Sequence, residues 1–185
     1  MSEEAGGGPA RDPIAESQRW LERAVIGLNL CPFAKSVHAK GQVRWVLSDA
    51  ITPEALLEQL GAELLHLRDT PADETDTTLI VHPQVLTDFL DYNDFLDTAE
   101  ALVESLALDG VLQVASFHPH YQFAGSAPDD VENFTNRSPY PTLHLLREDS
   151  VSRAVTAFPD PEVIVERNVE TLRALGVEGW RKLLG

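Results

Sequence analysis

TTLIVHPQVLTDFLDYNDFLDTAEALVESLALDGVLQVASFH, residues 77–118, is the stretch that decides the fold. Thr77 to His82 is a short apolar run rich in β-branched residues and reads as a mostly buried strand. Within Gln84 to Leu108 the period changes. Phe89, Tyr92, Leu96, Ala99, Val103 and Leu106 recur at helical spacing and give one long helix an apolar face. Asp109-Gly110 marks a turn, and Val111 to His118 is strand-like again. A strand, a crossover helix and a second strand form a unit whose strands can share one sheet, with a right-handed connection where they lie parallel.

The alternation continues on both sides. Upstream, Val43, Trp45 and Leu47 alternate with Arg44 and Val46 as a strand. Thr52-Pro53 opens a helix with an N-cap and a first-turn proline, and Leu56, Leu57, Leu60, Leu64 and Leu67 form its stripe. Asp12-Pro13 opens an earlier helix carrying Trp20, Leu21, Ala24, Val25 and Leu28, which Pro32 should end nearby. Downstream, Pro119 to Pro141 has no period, and Thr142 to Arg147 is a fourth strand. A short helix near Val151 to Phe158 and a last helix from Asp160-Pro161 to about Leu175, closed by Gly176, complete the chain. The pattern predicts an α/β (α+β) fold in a single domain, residues 14–185. It has a four-stranded mixed sheet with helices packed on it, its last two strands antiparallel. The connection order is thioredoxin-like, with ferredoxin-like as the alternative. Residues 1–13, small, polar and Gly-rich at their start, are expected to be a flexible tail.

The chain has 185 residues, 43% of them apolar, enough for a core of its own. Its net charge of −16 argues against nucleic acid and against anionic membranes, and as a bulk property serves solubility. Cys31 is the only cysteine, so no intrachain disulfide forms. Met1 to Pro13 lacks the basic and apolar regions of a secretory signal, and no apolar run approaches the ~20 residues of a membrane span. A cytoplasmic protein is the expectation.

The acids are unevenly spread. Ala24 to Ser48, Val111 to Pro128 and Asn133 to Arg147 contain no Asp or Glu, 58 residues in all. They hold Cys31, His38, His118, His120 and His144, with Lys35, Lys40, Arg44, Arg137 and Arg147 among them. A patch kept free of negative charge suits a carboxylate or phosphate. The segments Ser116 to Gly125 and Asn136 to Pro141 leave one strand and enter the next, so antiparallel pairing puts both at one end of the sheet, where ligand sites often form. There Arg137 offers a planar fork, and Asn136, Tyr121 and Gln122 offer neutral hydrogen bonds. The opposite reading is an ordered structural loop in which Arg137 ties carbonyls together.

Four stretches carry a family resemblance: Gly27-Leu28-Asn29-Leu30-Cys31-Pro32-Phe33-Ala34, Asp91-Tyr92-Asn93-Asp94-Phe95-Leu96, Ser116-Phe117-His118-Pro119 and Asn136 to Glu148. They resemble the signature stretches of a bacterial family catalogued as domain of unknown function 1415. The resemblance implies a bacterial cytoplasmic protein and brings no activity, cofactor or catalytic residue with it.

Cys31 reads as a nucleophile served by His118 or His144, as a redox thiol in a Cys-Pro-aromatic-X motif lacking its second cysteine, or as a buried small hydrophobe. The redox motif needs a preceding strand, whereas Trp20 to Leu28 has helical spacing. His118, His120, His144 and Cys31 lack a metal-ligand spacing, and Asp88, Asp91, Asp94 and Asp97 read as a solvated helix face, so no metal is assigned. His66 and His82 read as structural. Two function classes follow, with the cofactor and the oligomeric state left open. The first is a small-molecule enzyme on an anionic substrate, with Arg137 as anchor, His118 as acid or base and Cys31 as nucleophile. The second is a non-catalytic ligand sensor or protein adaptor that would use the exposed-looking pair Tyr92 and Phe95. The enzyme requires Cys31, His118 and Arg137 to meet around one pocket.

Overall fold

A computed structural model describes residues 9–158 and 160–185. Most of the expected tail, residues 1–8, lies outside the described residues. Helix α1 (Pro13–Trp20) begins as its sequence dictates: the Asp12 carboxylate accepts from the Ile14 and Ala15 amides, and Pro13 takes the first position. It runs on into a π-helical turn, Leu21–Ile26, and stops before Pro32 is reached. A six-residue helix, α2 (Ala34–Ala39), follows; it is too short to show a period in the sequence. Strand β1 (Val43–Leu47) leads to α3 (Pro53–Asp69), capped by Thr52. Then come β2 (Thr77–Val81), α4 (Phe89–Ser105), β3 (Leu112–Phe117), a 3₁₀ turn at Val131–Asn136 and β4 (Thr142–Arg147). Helices α5 (Glu148–Ala157) and α6 (Pro161–Leu184) end the chain.

The four strands form one mixed sheet in the order β1-β2-β4-β3. β1 and β2 are parallel, and β4 runs antiparallel to both β2 and β3. Trp45, Leu79, His144 and Ala115 lie side by side in one row, and Val46, Ile80, Leu143 and Ser116 in the next. Successive rows point to opposite faces. One face buries Ile80, Leu143 and Leu145 under Leu56, Leu60, Leu64 and Leu67 of α3 and Tyr92, Ala99 and Val103 of α4. The other gathers Trp20, Ala24, Phe134, Leu172 and Trp180, with Trp45 and Phe117 against them. The sheet is therefore covered on both sides.

The aromatic pair expected at the surface is internal. Tyr92 is 0% exposed and Phe95 7%, because the helical face that carries Ala99 and Val103 carries them too and lies on the sheet. The Tyr92 hydroxyl donates to the Thr142 carbonyl at 2.6 Å and accepts the Phe117 amide at 3.1 Å. It joins the helix to the end of β3 and the start of β4.

β1, β2 and β3 point the same way, so their carboxyl ends share one end of the sheet with the start of β4. His82, His118 and Ser138 to Pro141 are placed there by topology. Gly176 interrupts α6 at φ 67 and ψ 176, a conformation essentially reserved for glycine. The helix stops where its sequence says, then resumes as an arm, Val177 to Leu184, whose Trp180 packs on Phe134 at 5.3 Å.

Two substitutions test this frame. Tyr92→Phe leaves a buried carbonyl and a buried amide without their partner and should cost about 1–3 kcal/mol. Gly176→Ala forces a Cβ into the glycine-only region, at a similar cost of about 1–3 kcal/mol. Urea unfolding reads both, and an unchanged midpoint for either removes the role assigned to it.

Candidate functional site

Two histidines close the carboxyl end of the sheet, and both are committed to the backbone. His118 is 0% exposed. Its Nε2 faces the Leu86 carbonyl at 3.0 Å, and its Nδ1 accepts the His120 amide at 3.0 Å. A carbonyl only accepts and an amide only donates, so the ring is neutral with its proton on Nε2. Burial pulls its pKa down. His82, also 0% exposed, donates from Nδ1 to the Val85 carbonyl at 3.0 Å, and its Nε2 has no partner. Burial lowers its pKa to about 4. Together the two imidazoles hold consecutive carbonyls of the loop that leads into α4, where Leu86 sits at φ 56. His144 faces the other layer beside Phe117, and its Nε2 contacts the Thr77 hydroxyl at 2.8 Å. That hydroxyl spends its one proton on the Leu145 carbonyl, so His144 is the donor. Burial lowers its pKa to about 4 as well.

The loop before β4 is built as a bracket. Arg137 donates from Nε to the Tyr121 carbonyl at 3.0 Å and from Nη2 to the Pro128 carbonyl at 2.6 Å, with its guanidinium 5.0 Å from the centre of the Phe134 ring. Asn136 donates to the Ser116 carbonyl at 3.0 Å, and Gln122 to the Ser126 carbonyl at 2.7 Å. The Tyr121 ring lies against Phe89 and Phe123. Asn136 and Gln122 thus spend their amides inside the loop, whereas the Arg137 Nη1 makes no hydrogen bond among the described residues.

Arg137 borders two clefts. One, of about 710 Å³, is lined by the start of α4 with His120, Gln122 and Asp129. The other, of about 600 Å³, lies between α1, the bracket loop and the arm after Gly176. Four of the chain's 14 cationic side chains line it: Arg11, Arg19, Arg137 and Arg181. Among the described residues the one acidic side chain in its wall, Glu16, already accepts from the Tyr140 hydroxyl at 2.9 Å. Arg19 has no acidic partner among the described residues, and Arg181 has only a long 3.5 Å contact to Glu178. Trp20, 2% exposed, also lines the cleft, and its indole N–H has no partner. In a chain of charge −16, this is a local reversal of sign.

Cys31 is half-buried in the turn before α2 and packs against the Trp20 cluster. His118 packs against Phe89 and Tyr92 of α4, in the layer on the opposite face of the sheet. Neither lines the arginine cleft. Cys31 also precedes β1 and follows a helical turn, so the strand that a redox motif requires before it is missing. Of the acid-free segments, Arg44 is paired with Glu63 at 2.9 Å, and Arg147 donates to the carbonyls of Leu67, Thr70 and Thr75 at the far end of the sheet. The three segments therefore do not make one patch. Sequence reading reached Arg137 but missed Arg11, Arg19 and Arg181, which are up to 170 positions apart and share no local pattern. Among the described residues no group of three His, Cys, Asp or Glu side chains is arranged to hold a metal ion, and no helix is long and apolar enough to cross a membrane.

Compared with known proteins, residues 12–182 match the model of a family described as protein of unknown function (DUF1415). No curated protein and no solved structure gave a match.

The buried histidines set a pH dependence. His82 and His144 resist protonation in the fold down to about pH 4, whereas the unfolded chain takes protons on from about pH 6.5. Between those values the unfolded state binds more protons, so stability rises with pH across this window and is lost as pH falls through it. His82 should account for about 3 kcal/mol of that loss. Urea unfolding across the window, repeated on His82→Gln, checks it: the variant should show a shallower slope, and an equal slope would refute the assignment.

Proposed function

The chain belongs to the DUF1415 family over nearly its whole length, and from the cleft its fold builds we propose that it binds a small anionic compound, a carboxylate or a phosphate, between α1, the bracket loop and the arm. The observation that carries this is the concentration of Arg11, Arg19, Arg137 and Arg181 around one cavity in an otherwise acidic protein. Guanidinium groups give planar, charge-assisted hydrogen bonds suited to both anions. Grouping four like charges around one acidic side chain, Glu16, costs energy unless an anion offsets the excess. The unpartnered indole N–H of Trp20 in the same wall adds a neutral donor.

Ligand binding without catalysis is the better-supported of the two readings. His118 has no free nitrogen to move a proton, since Leu86 and His120 take both. The cleft wall contains no imidazole and no thiol, and its Ser138 hydroxyl is committed to the Tyr140 carbonyl at 2.6 Å. A wall rich in fixed positive charge, whose one carboxylate among the described residues, Glu16, is engaged by Tyr140, favours holding an anion over proton transfer.

Calorimetric titration with inorganic phosphate and with acetate at low ionic strength tests the proposal. Binding of at least one is expected. Arg19→Ala should weaken it about tenfold by removing a charge-assisted contact, with stability unchanged because Arg19 is exposed and unpaired. No binding of either anion, or full affinity in Arg19→Ala, overturns the proposal.

A further inference from the structure

We propose that the arginine cleft takes a compound with at least two anionic groups, one held by Arg19 and Arg137 on the body of the domain and the other by Arg181 on the arm beyond Gly176. This rests on reading the cleft as an anion site and specifies its ligand class. Size comes first. A cavity of about 600 Å³ is in the range that encloses a whole metabolite, well beyond a lone carboxylate or phosphate. Charge comes second. Arg19 has no acidic partner among the described residues, Arg137 has part of its fork unspent, and Arg181 is held only loosely by Glu178. Glu16 offsets one of the four charges in the wall, and a singly charged ligand would still leave part of the rest uncompensated.

Placement is the third argument. Arg19 lies on α1, Arg137 on the bracket loop and Arg181 on a segment joined to the rest of α6 through one glycine at φ 67. The arm is fixed by Trp180 in the core layer and by the Arg23 guanidinium on the Leu183 carbonyl at 3.3 Å. The backbone that carries Arg181 is therefore held against the body of the domain, in the wall of the same cleft as Arg19 and Arg137. Cationic side chains contributed by three separate elements fit a ligand with more than one anionic group, and a ligand that engages Arg181 together with Arg19 or Arg137 ties the arm to the body.

The experiment is calorimetry on the full chain with matched probes, phosphate against pyrophosphate and acetate against glutarate, at one ionic strength. In at least one pair the doubly anionic probe should bind about tenfold tighter or more, the worth of a second charge-assisted contact. Which pair shows the gain tells a phosphate ligand from a carboxylate. Arg181→Ala should remove that gain, weakening the doubly anionic probe by a larger factor than the singly anionic one. Hydrogen exchange of Val177 to Leu184 should slow with the doubly anionic probe and not with the singly anionic one. Equal affinities within both pairs, or an Arg181→Ala variant that keeps the gain, overturn this inference and leave the anion site standing. Failure of all four probes overturns both.

Discussion

The Tyr92 hydroxyl is the interaction on which the rest of the structure depends. β3 and β4 are joined by a connection, residues 118–141, that has to leave the sheet and return to it. Where the chain peels away, the Phe117 amide and the Thr142 carbonyl are buried, and an unpaired buried backbone group costs about 1–3 kcal/mol. Tyr92 answers both at once from a helix on the core face. Burial raises the phenol's pKa, which keeps its proton in place as a donor. His82 and His118 solve the same problem one strand apart, holding the Val85 and Leu86 carbonyls. Three aromatic polar side chains fix the end of the sheet, and the bracket loop is built from that end.

The same requirement commits both ring nitrogens of His118 and the Nδ1 of His82 to the backbone. A ring that is neutral, buried and hydrogen-bonded to backbone serves position rather than proton transfer. The arginines divide in the same way. Arg147 gives its guanidinium to three carbonyls around the end of α3, and Arg44 lies against Glu63. Arg137 is split between holding the loop and facing the clefts. Arg19 has no structural task in evidence, which is what gives the cleft its unspent charge. The proposed anion site rests on the cations that the fold does not consume.

Much of the fold was legible in the chain. Thr142 to Arg147 and Val43 to Leu47 are strands with the bounds their alternation indicated, and Asp12 and Thr52 cap the helices that follow them. These features are local: a period, a cap or a first-turn proline acts within a few residues. The misreadings share one cause. Tyr92 and Phe95 looked exposed because periodicity gives a face but not what lies against it. α2 was too short to carry a period, and the arm after Gly176 resumes beyond a residue that correctly signals a stop.

Sequence by itself determined the order of the strands and of the longer helices, the antiparallel return of β4, the end of the sheet at which His118 and Arg137 emerge, and the acidic charge of the whole. Only the tertiary structure decided the sheet order β1-β2-β4-β3, the placement of Cys31 and His118 in opposite layers, and the meeting of Arg11, Arg19, Arg137 and Arg181. The physical reason is range. Helical and strand periods record which side of an element is apolar over a few residues. A binding cleft forms where side chains from remote segments are left over after burial and backbone hydrogen bonding have been satisfied.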